Sequence, residues 1–124
     1  MAKKMTLRQR FNEIRAACQG LGTYREEFDP AIWALARVEE ERDSAWDEFE
    51  SEGSIRIVTT VNKAGAKYRQ QNPSYTVWLN LVAESRSQRR ELGLTPAGLK
   101  KLREDAMKQP KRSALAEALA KLDG

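Results

Sequence analysis

Apolar residues recur at helical spacing near the start of the chain. Intervals of three and four residues, the period of one helix face, separate Phe11, Ile14, Cys18 and Leu21. Thr6 is a favoured N-terminal cap, and residues 20–22 (Gly-Leu-Gly) are typical of a helix end. The sequence therefore predicts a first helix that begins after Thr6 and ends at about Ala17 or Gln19. Because Cys18 falls on the apolar face, we expect a packed thiol rather than a reactive one.

A second apolar stripe runs through a long stretch that lacks helix-breaking residues. Asp29 and Pro30 are typical of a helix start, with the acid as cap and the proline in the first turn. The apolar positions that then recur at helical spacing are Ile32, Leu35, Val38, Ala45, Trp46 and Phe49. We expect a rod of ~35 Å over residues 29–52, packed along another long helix. Arg42 interrupts the stripe, and Trp33 lies off it and needs a second surface, in the same chain or in a neighbouring copy.

A β-hairpin is expected after the rod, at about residues 55–70. Residues 55–61 are rich in β-branched side chains and predict a strand. Residues 62–65 (Asn-Lys-Ala-Gly) are typical of a turn, and residues 66–69 predict the returning strand. Because a lone two-stranded hairpin is marginal in water, it should lean on helices or on the hairpin of the next subunit.

Two further helices are expected in the second half of the chain. Asn72 and Thr95 are each followed by proline, which is favoured in the first turn of a helix. The third helix should end near Gly93, with an apolar first half and a charged second half, and the fourth should end near residue 107. The fold class is therefore mainly α with one small β-hairpin, built on a long helical hairpin. Its core is thin, which favours an oligomer.

The C-terminal stretch differs from the rest of the chain. Residues 109–112 (Gln-Pro-Lys-Arg) are typical of a basic linker broken by proline. Leu115, Leu119 and Leu122 then form a stripe at helical spacing that is too short for a helix stable alone. We therefore divide the chain into a helical oligomerisation and DNA-binding domain, residues 1–108, and a linker with a short docking helix, residues 109–124.

Charge is unevenly distributed along the chain, whose net charge is +4. Residues 25–52 carry three bases against eleven acids, whereas the segments before and after them are basic. Because basic segments attract polyanions, the candidate DNA contacts are Lys3, Lys4, Arg8 and Arg10 at the N-terminus and Arg56, Lys63, Lys67 and Arg69 in the hairpin. Each of these alone also fits an ordinary solvated charge. The acidic rod is expected to meet a basic surface of the next subunit, for which Arg86, Arg89 and Arg90 are candidates.

The composition argues against catalysis. Histidine is absent and there is one cysteine, which removes the Ser-His and Cys-His nucleophile systems, His-containing metal sites and intrachain thiolate clusters. Neither of the common glycine-rich phosphate loops occurs. The acids of residues 39–47 have the chemistry to hold magnesium, but acid runs on helices are usually solvated. We expect no enzyme, no catalytic residue, no metal site and no cofactor.

Hydropathy and cysteine usage predict a cytoplasmic protein. No apolar run approaches the ~18 residues of a membrane span, and no apolar signal core follows Met1. We therefore expect neither membrane association nor secretion. A single cysteine cannot form an intrachain disulfide, which suits a reducing compartment.

The order of the later elements resembles a known family. A long acidic helix and a hairpin are followed by Asn72-Pro73, an apolar helix and the string Leu-Gly-Leu-Thr-Pro at residues 92–96. This order is similar to that of the small terminase subunits of tailed phages, in which an Asn-Pro pair and an LGLTP string bracket the penultimate long helix. The resemblance covers roughly residues 29–102. Relatives often carry arginine shortly after the string, where this chain has Leu99.

The resemblance implies a function in genome packaging. It implies a ring of identical subunits that recognises concatemeric viral double-stranded DNA in the bacterial host cell. The ring would pass this DNA to the large terminase subunit, which supplies the ATPase and nuclease and would bind the stripe Leu115, Leu119 and Leu122. Two alternatives stay open: a structural phage connector or scaffold protein, and a small DNA-binding regulator. A helix-turn-helix regulator needs a basic recognition helix second, whereas the helix after residues 20–22 is long and acidic.

Overall fold

A computed structural model of the chain describes residues 4–107. Within this range the structure consists of helices and one two-stranded antiparallel sheet, joined by short connections. In chain order the elements are α1 (Leu7–Leu21), a 3₁₀ turn (Glu26–Phe28), α2 (Asp29–Ser51), β1 (Ile57–Val61), β2 (Lys67–Gln71), α3 (Pro73–Glu91) and α4, the helical residues 96–107. The predicted mainly helical fold with a small hairpin is confirmed. The predictions for Lys3, the linker and the leucine stripe lie outside the described residues.

The first helix is longer than the sequence predicted. Thr6 caps it as expected, because its hydroxyl accepts from the Gln9 backbone N–H and the Gln9 side chain accepts from the Thr6 backbone. The helix continues through Gly20 and ends at Leu21, since only Gly22 adopts the left-handed conformation that closes it (φ 74°). The predicted end at Ala17 or Gln19 was therefore too early.

The start of α2 also differs in detail from the prediction. Phe28, not Asp29, occupies the cap position, and Pro30 lies in the first turn. Asp29 instead accepts a hydrogen bond from the Tyr24 hydroxyl at 2.9 Å, which raises the pKa of that phenol. The carboxylate thus ties the connection between α1 and α2 to the start of the long helix.

The main core lies between α1 and α2. Its buried residues are Phe11, Ile14 and Cys18 from α1, Ile32, Leu35 and Ala36 from α2, and Leu92. Trp33 finds its second surface in the same chain, because its ring stacks on that of Phe11 at a centroid distance of 4.1 Å. Cys18 is a packed thiol, as predicted, and burial raises its pKa.

An aromatic cluster joins the end of α2 to the start of α3. Trp46 and Phe49 of α2 pack against Tyr75 and Trp78 of α3, with ring centroids 4.6 Å apart for Trp46–Trp78 and 5.2 Å apart for Phe49–Tyr75. Phe49 is fully buried. The predicted packing of the rod along a second long helix is therefore confirmed, with aromatic side chains in contact at this end.

The hairpin stands away from this helical body. Its strands, Ile57–Val61 and Lys67–Gln71, are shifted from the predicted 55–61 and 66–69. The second strand starts one residue later because the Asn62 side chain accepts from the N–H groups of Ala64 and Ala66 and holds them in the connection. The base is fixed by Asn72, whose side chain donates to the Ile55 carbonyl at 2.7 Å. No residue of either strand is buried. The described contacts therefore hold the hairpin mainly at its base.

The connection between α3 and α4 brings two backbones into close contact. Gly93 adopts a left-handed conformation (φ 75°), and the Thr95 hydroxyl accepts from the Gly98 N–H as the cap of α4. A Cβ atom at Gly98 would overlap the carbonyl oxygen of Arg90. Glycine at this position therefore allows α4 to cross the end of α3.

This contact predicts opposite effects for two Gly-to-Ala substitutions. We expect Gly98→Ala to lower the free energy of unfolding by about 1–3 kcal/mol, because one backbone must move away from the other. Gly20→Ala is the matched control. A Cβ at Gly20 meets open space within α1, so we expect that variant to gain up to about 1 kcal/mol. Urea unfolding at one protein concentration measures both; equal stabilities would contradict the close crossing.

Candidate nucleic-acid interface

Acids in the middle of α2 are paired with bases of the same chain. Lys4 Nζ lies 2.8 Å from Asp47, and the Arg10 guanidinium lies 2.8 Å from Asp43, which also pairs with Arg42 at 3.1 Å. The sequence led us to expect that these acids meet the next subunit. At Asp43 and Asp47 the partners are instead intrachain, because α1 crosses α2 with its basic end over the acidic segment.

Arg42, which interrupts the apolar stripe of α2, also belongs to a set of polar contacts within the chain. Glu39 is buried, and its carboxylate accepts hydrogen bonds from the Ser85 hydroxyl and from the Arg89 guanidinium of α3. Arg42 donates to the same Ser85 hydroxyl at 3.3 Å. Arg89 therefore serves the contact between α2 and α3 of its own chain, and was wrongly considered for pairing with a neighbour.

The candidate DNA contacts at the N-terminus fall into two groups. The Arg10 side chain is 12% exposed, and its Nε is buried without a partner among the described residues. Its guanidinium thus holds α1 on α2 and is less accessible to phosphate than its neighbours, and the DNA contact of Arg10 stays a prediction. Arg8 is exposed, and the Lys4 side chain remains 77% exposed although it is paired. These two are the described N-terminal bases open to a polyanion.

The hairpin candidates are all exposed. Lys63 lies in the turn. Lys67 and Arg69 project from one face of the sheet, where their cross-strand partners are Val61 and Thr59. Within residues 4–107, no carboxylate forms an ion pair with these three bases. Arg56 differs, because its guanidinium lies 5.7 Å from the centre of the Tyr75 ring and contributes to the hairpin base.

The two sets of exposed bases lie at the same end of α2. Lys4 pairs with Asp47, one turn before α2 ends at Ser51, and the hairpin follows directly. The sequence could not show this arrangement, because it depends on the direction in which α1 packs on α2. The structure thus brings together two basic segments that are about sixty residues apart in the chain.

Exposed apolar side chains are concentrated near this end as well. Nine large apolar side chains are exposed in the described part of the chain, and the six between residues 55 and 79 are Ile55, Ile57, Val61, Tyr68, Val77 and Leu79. They belong to the hairpin, its base and the first half of α3. Both outer edges of the two-stranded sheet are free of strand partners among the described residues. We call these six residues the apolar end surface, although they lie on more than one face: Tyr68 pairs with Thr60 and projects from the side of the sheet opposite Ile57 and Val61.

A second basic region lies on the other side of the molecule, on α3 and α4. Its exposed bases are Arg86, Arg90, Lys100, Lys101 and Arg103. Arg90 and Lys101 line a cavity of about 340 Å³, but Glu91 and Asp105 line it too. This region therefore has mixed charge, and it is a weaker candidate for phosphate than the hairpin.

Two further findings concern other classes of site. Among residues 4–107, no group of three or more acidic, cysteine or histidine side chains is arranged to hold a metal ion. No helix in that range is long and apolar enough to span a bilayer.

Comparison with known proteins places the chain in a family. No curated protein and no solved structure matches it significantly. The family model described as the small subunit of phage terminase matches residues 8–109. This range covers the hairpin and every helix described within residues 4–107, apart from the first residue of α1. Because the match spans most of its length, the chain belongs to the phage terminase small-subunit family.

Proposed function

We propose that the chain is a non-enzymatic packaging protein that binds viral DNA as a homo-oligomeric ring and delivers it to the large terminase subunit. The setting is the cytoplasm of the bacterial host during phage assembly. Family membership supports the partners, namely double-stranded DNA and the large subunit. The observation that carries the DNA assignment is the exposed basic hairpin beside the N-terminal bases, at the same end of α2.

The apolar end surface supports assembly. Two-stranded hairpins are marginal in water, and this one exposes Ile57 and Val61 without covering them from its own helices. A second copy of the chain can cover these side chains and supply a strand partner for a free edge. Trp33 already has an intrachain partner, since its ring stacks on that of Phe11.

Assembly predicts a mass several times the 14.1 kDa of one chain, measured by light scattering at micromolar concentration. We expect the double variant Ile57→Asp, Val77→Asp to shift the protein toward the monomer, because burying either charge in an interface is unfavourable. Gln70→Asp adds an acid to an exposed position of the same hairpin that is already polar, and should leave the mass unchanged. A wild-type protein that stays monomeric would exclude the ring.

Phosphate contacts account for the proposed DNA binding better than base readout does. The proposed bases lie on a hairpin and near the start of α1, and α2, the helix that follows α1, is acidic, so α1 and α2 do not form a helix-turn-helix with a basic recognition helix. Contacts between lysine or arginine and phosphate carry no sequence information themselves. We therefore infer binding that is largely indifferent to sequence and strongly dependent on salt.

This inference predicts that exposed bases and the ion-paired Arg10 affect DNA binding differently when they are replaced. Replacing Lys63, Lys67 and Arg69 with alanine should weaken binding to unrelated duplexes. It should also reduce the slope of log affinity against log salt by about 0.9 for each phosphate that the protein no longer neutralises. Replacing Lys4 and Arg8 should act in the same direction. Arg10→Ala is the control: it should lower stability, because Asp43 loses a partner, while the salt slope stays the same.

The outcome also separates the competing functions. If neither set of substitutions changes affinity or slope in an intact oligomer, the contact surface lies elsewhere, and Arg86, Arg90 and Lys101 become the next candidates. No salt-dependent binding at all would favour the connector or scaffold function. Strong preference for one duplex over others would favour the regulator.

The leucine stripe is the proposed contact with the large subunit. Leu115, Leu119 and Leu122 follow a basic linker, which suits a segment that binds a partner. Deleting residues 113–124 should leave the oligomer's mass unchanged but weaken large-subunit binding in a pull-down or calorimetric titration. A deletion that dissolves the oligomer would show that these residues serve assembly instead.

A further inference from the structure

A groove opens at the end of the molecule opposite the hairpin, between α4 and the connection from α1 to α2. Its volume is about 350 Å³. The side chains that form its apolar floor and its charged rim are Leu21, Phe28, Leu102, Ala106, Arg25 and Arg103. Leu21 is 38% exposed, so a large apolar side chain faces the open groove. The position of this groove makes it distinct from the apolar end surface and from the hairpin bases.

The chain leaves the described structure beside this groove. Ala106 lines it, and the next residue, Met107, is 73% exposed. On α4, Leu102 and Ala106 are one turn apart, so the apolar strip of the groove runs along the helix toward its last described residue. A segment that follows Met107 can therefore reach this strip by running back along α4.

We propose that residues 113–122 of the same chain dock in this groove, with Leu115, Leu119 and Leu122 against its apolar floor. These leucines recur at intervals of four and three residues and therefore share one face of a helix. Most of the intervening positions are alanine, which lets a helix approach a shallow groove closely. A helix too short to be stable alone gains its stability from such a docking site.

The length of the linker is compatible with this fold-back. Each extended residue spans at most ~3.5 Å, so residue 113 lies within ~20 Å of Met107. A helix over residues 113–122 is ~15 Å long, close to the ~18 Å of helical residues 96–107. Proline at position 110 prevents one continuous helix, which favours a change of direction there.

Charge on the groove rim is mixed and does not by itself select the occupant. Asp105 lies on the rim together with Arg25 and Arg103, and the stretch after Met107 carries Lys108, Lys111 and Arg112. Bringing this stretch back along α4 places its bases near Asp105 but also near Arg103. An exposed pair is worth only ~0.2–1 kcal/mol, so in this proposal the leucines and not the charges hold the segment.

Docking has a consequence for the leucine stripe. The same three leucines cannot contact the groove and a second protein at once. If the proposed large-subunit contact is correct, the groove competes with it and reduces premature binding by free subunits. The docking itself does not rest on that contact, and its test uses neither DNA nor the large subunit.

The test is amide hydrogen exchange of the full-length protein, followed by mass spectrometry of peptides that cover residues 21–28 and 102–106. We expect Leu119→Asp to raise exchange in both peptides several-fold, because it removes the central leucine and buries a charge. The matched control is Ala120→Asp, which adds the same charge ~100° further around the helix, away from the stripe. Adding a synthetic peptide of residues 113–124 to the protein that lacks them should restore the protection.

Three results would overturn the proposal. Unchanged exchange in Leu119→Asp would show that the groove is not covered by the leucines. Equal increases in both variants would show a general effect of charge. In a third experiment, full-length chains are mixed with chains truncated after residue 112. If the groove peptides of the truncated chains become protected from exchange, the segment comes from a neighbouring copy and not from the same chain.

Discussion

The packing of α2 against both α1 and α3 depends on how the charged middle of α2 is neutralised. Glu39 is buried on the side of α3, where Ser85 and Arg89 supply its hydrogen bonds. Removing one partner of a buried pair costs about 3–5 kcal/mol. The cost at Arg89 is smaller, because its side chain is 38% exposed to water. This polar contact fixes how α2 and α3 align, and the aromatic cluster then packs at one end of the same seam.

Intrachain pairing of the acids also determines which bases remain open to a partner. Asp43 holds Arg10 and Asp47 holds Lys4, so two acids that would repel a duplex are partly neutralised by α1. The hairpin bases have no such partners among residues 4–107. The bases of the hairpin, beyond the C-terminal end of α2, are therefore the ones that intrachain ion pairs among the described residues leave open.

Local features of this fold were predictable from the sequence, whereas the pairing between elements was not. Thr6 and Asn72 cap helices as their chemistry indicates, and Gly22 ends one. Arg8 and Arg10, however, flank the apolar stripe of α1 on opposite sides. Which of them meets the acids of α2 depends on how the two helices cross, and periodicity within one helix does not contain that information. The same limit applies to Gly98, whose role depends on where α4 crosses Arg90.

The register of the hairpin constrains how the proposed ring can use it. Ile57 and Val61 of β1 share one face with Lys67 and Arg69 of β2, because directly paired residues project to the same side. That face is therefore divided lengthwise into an apolar half and a basic half. A neighbouring subunit that covered the whole face would bury two unpaired cations, which is unfavourable. In a ring, the apolar half can contact the neighbour while the basic half stays open to phosphate, and repetition around the axis multiplies a weak contact.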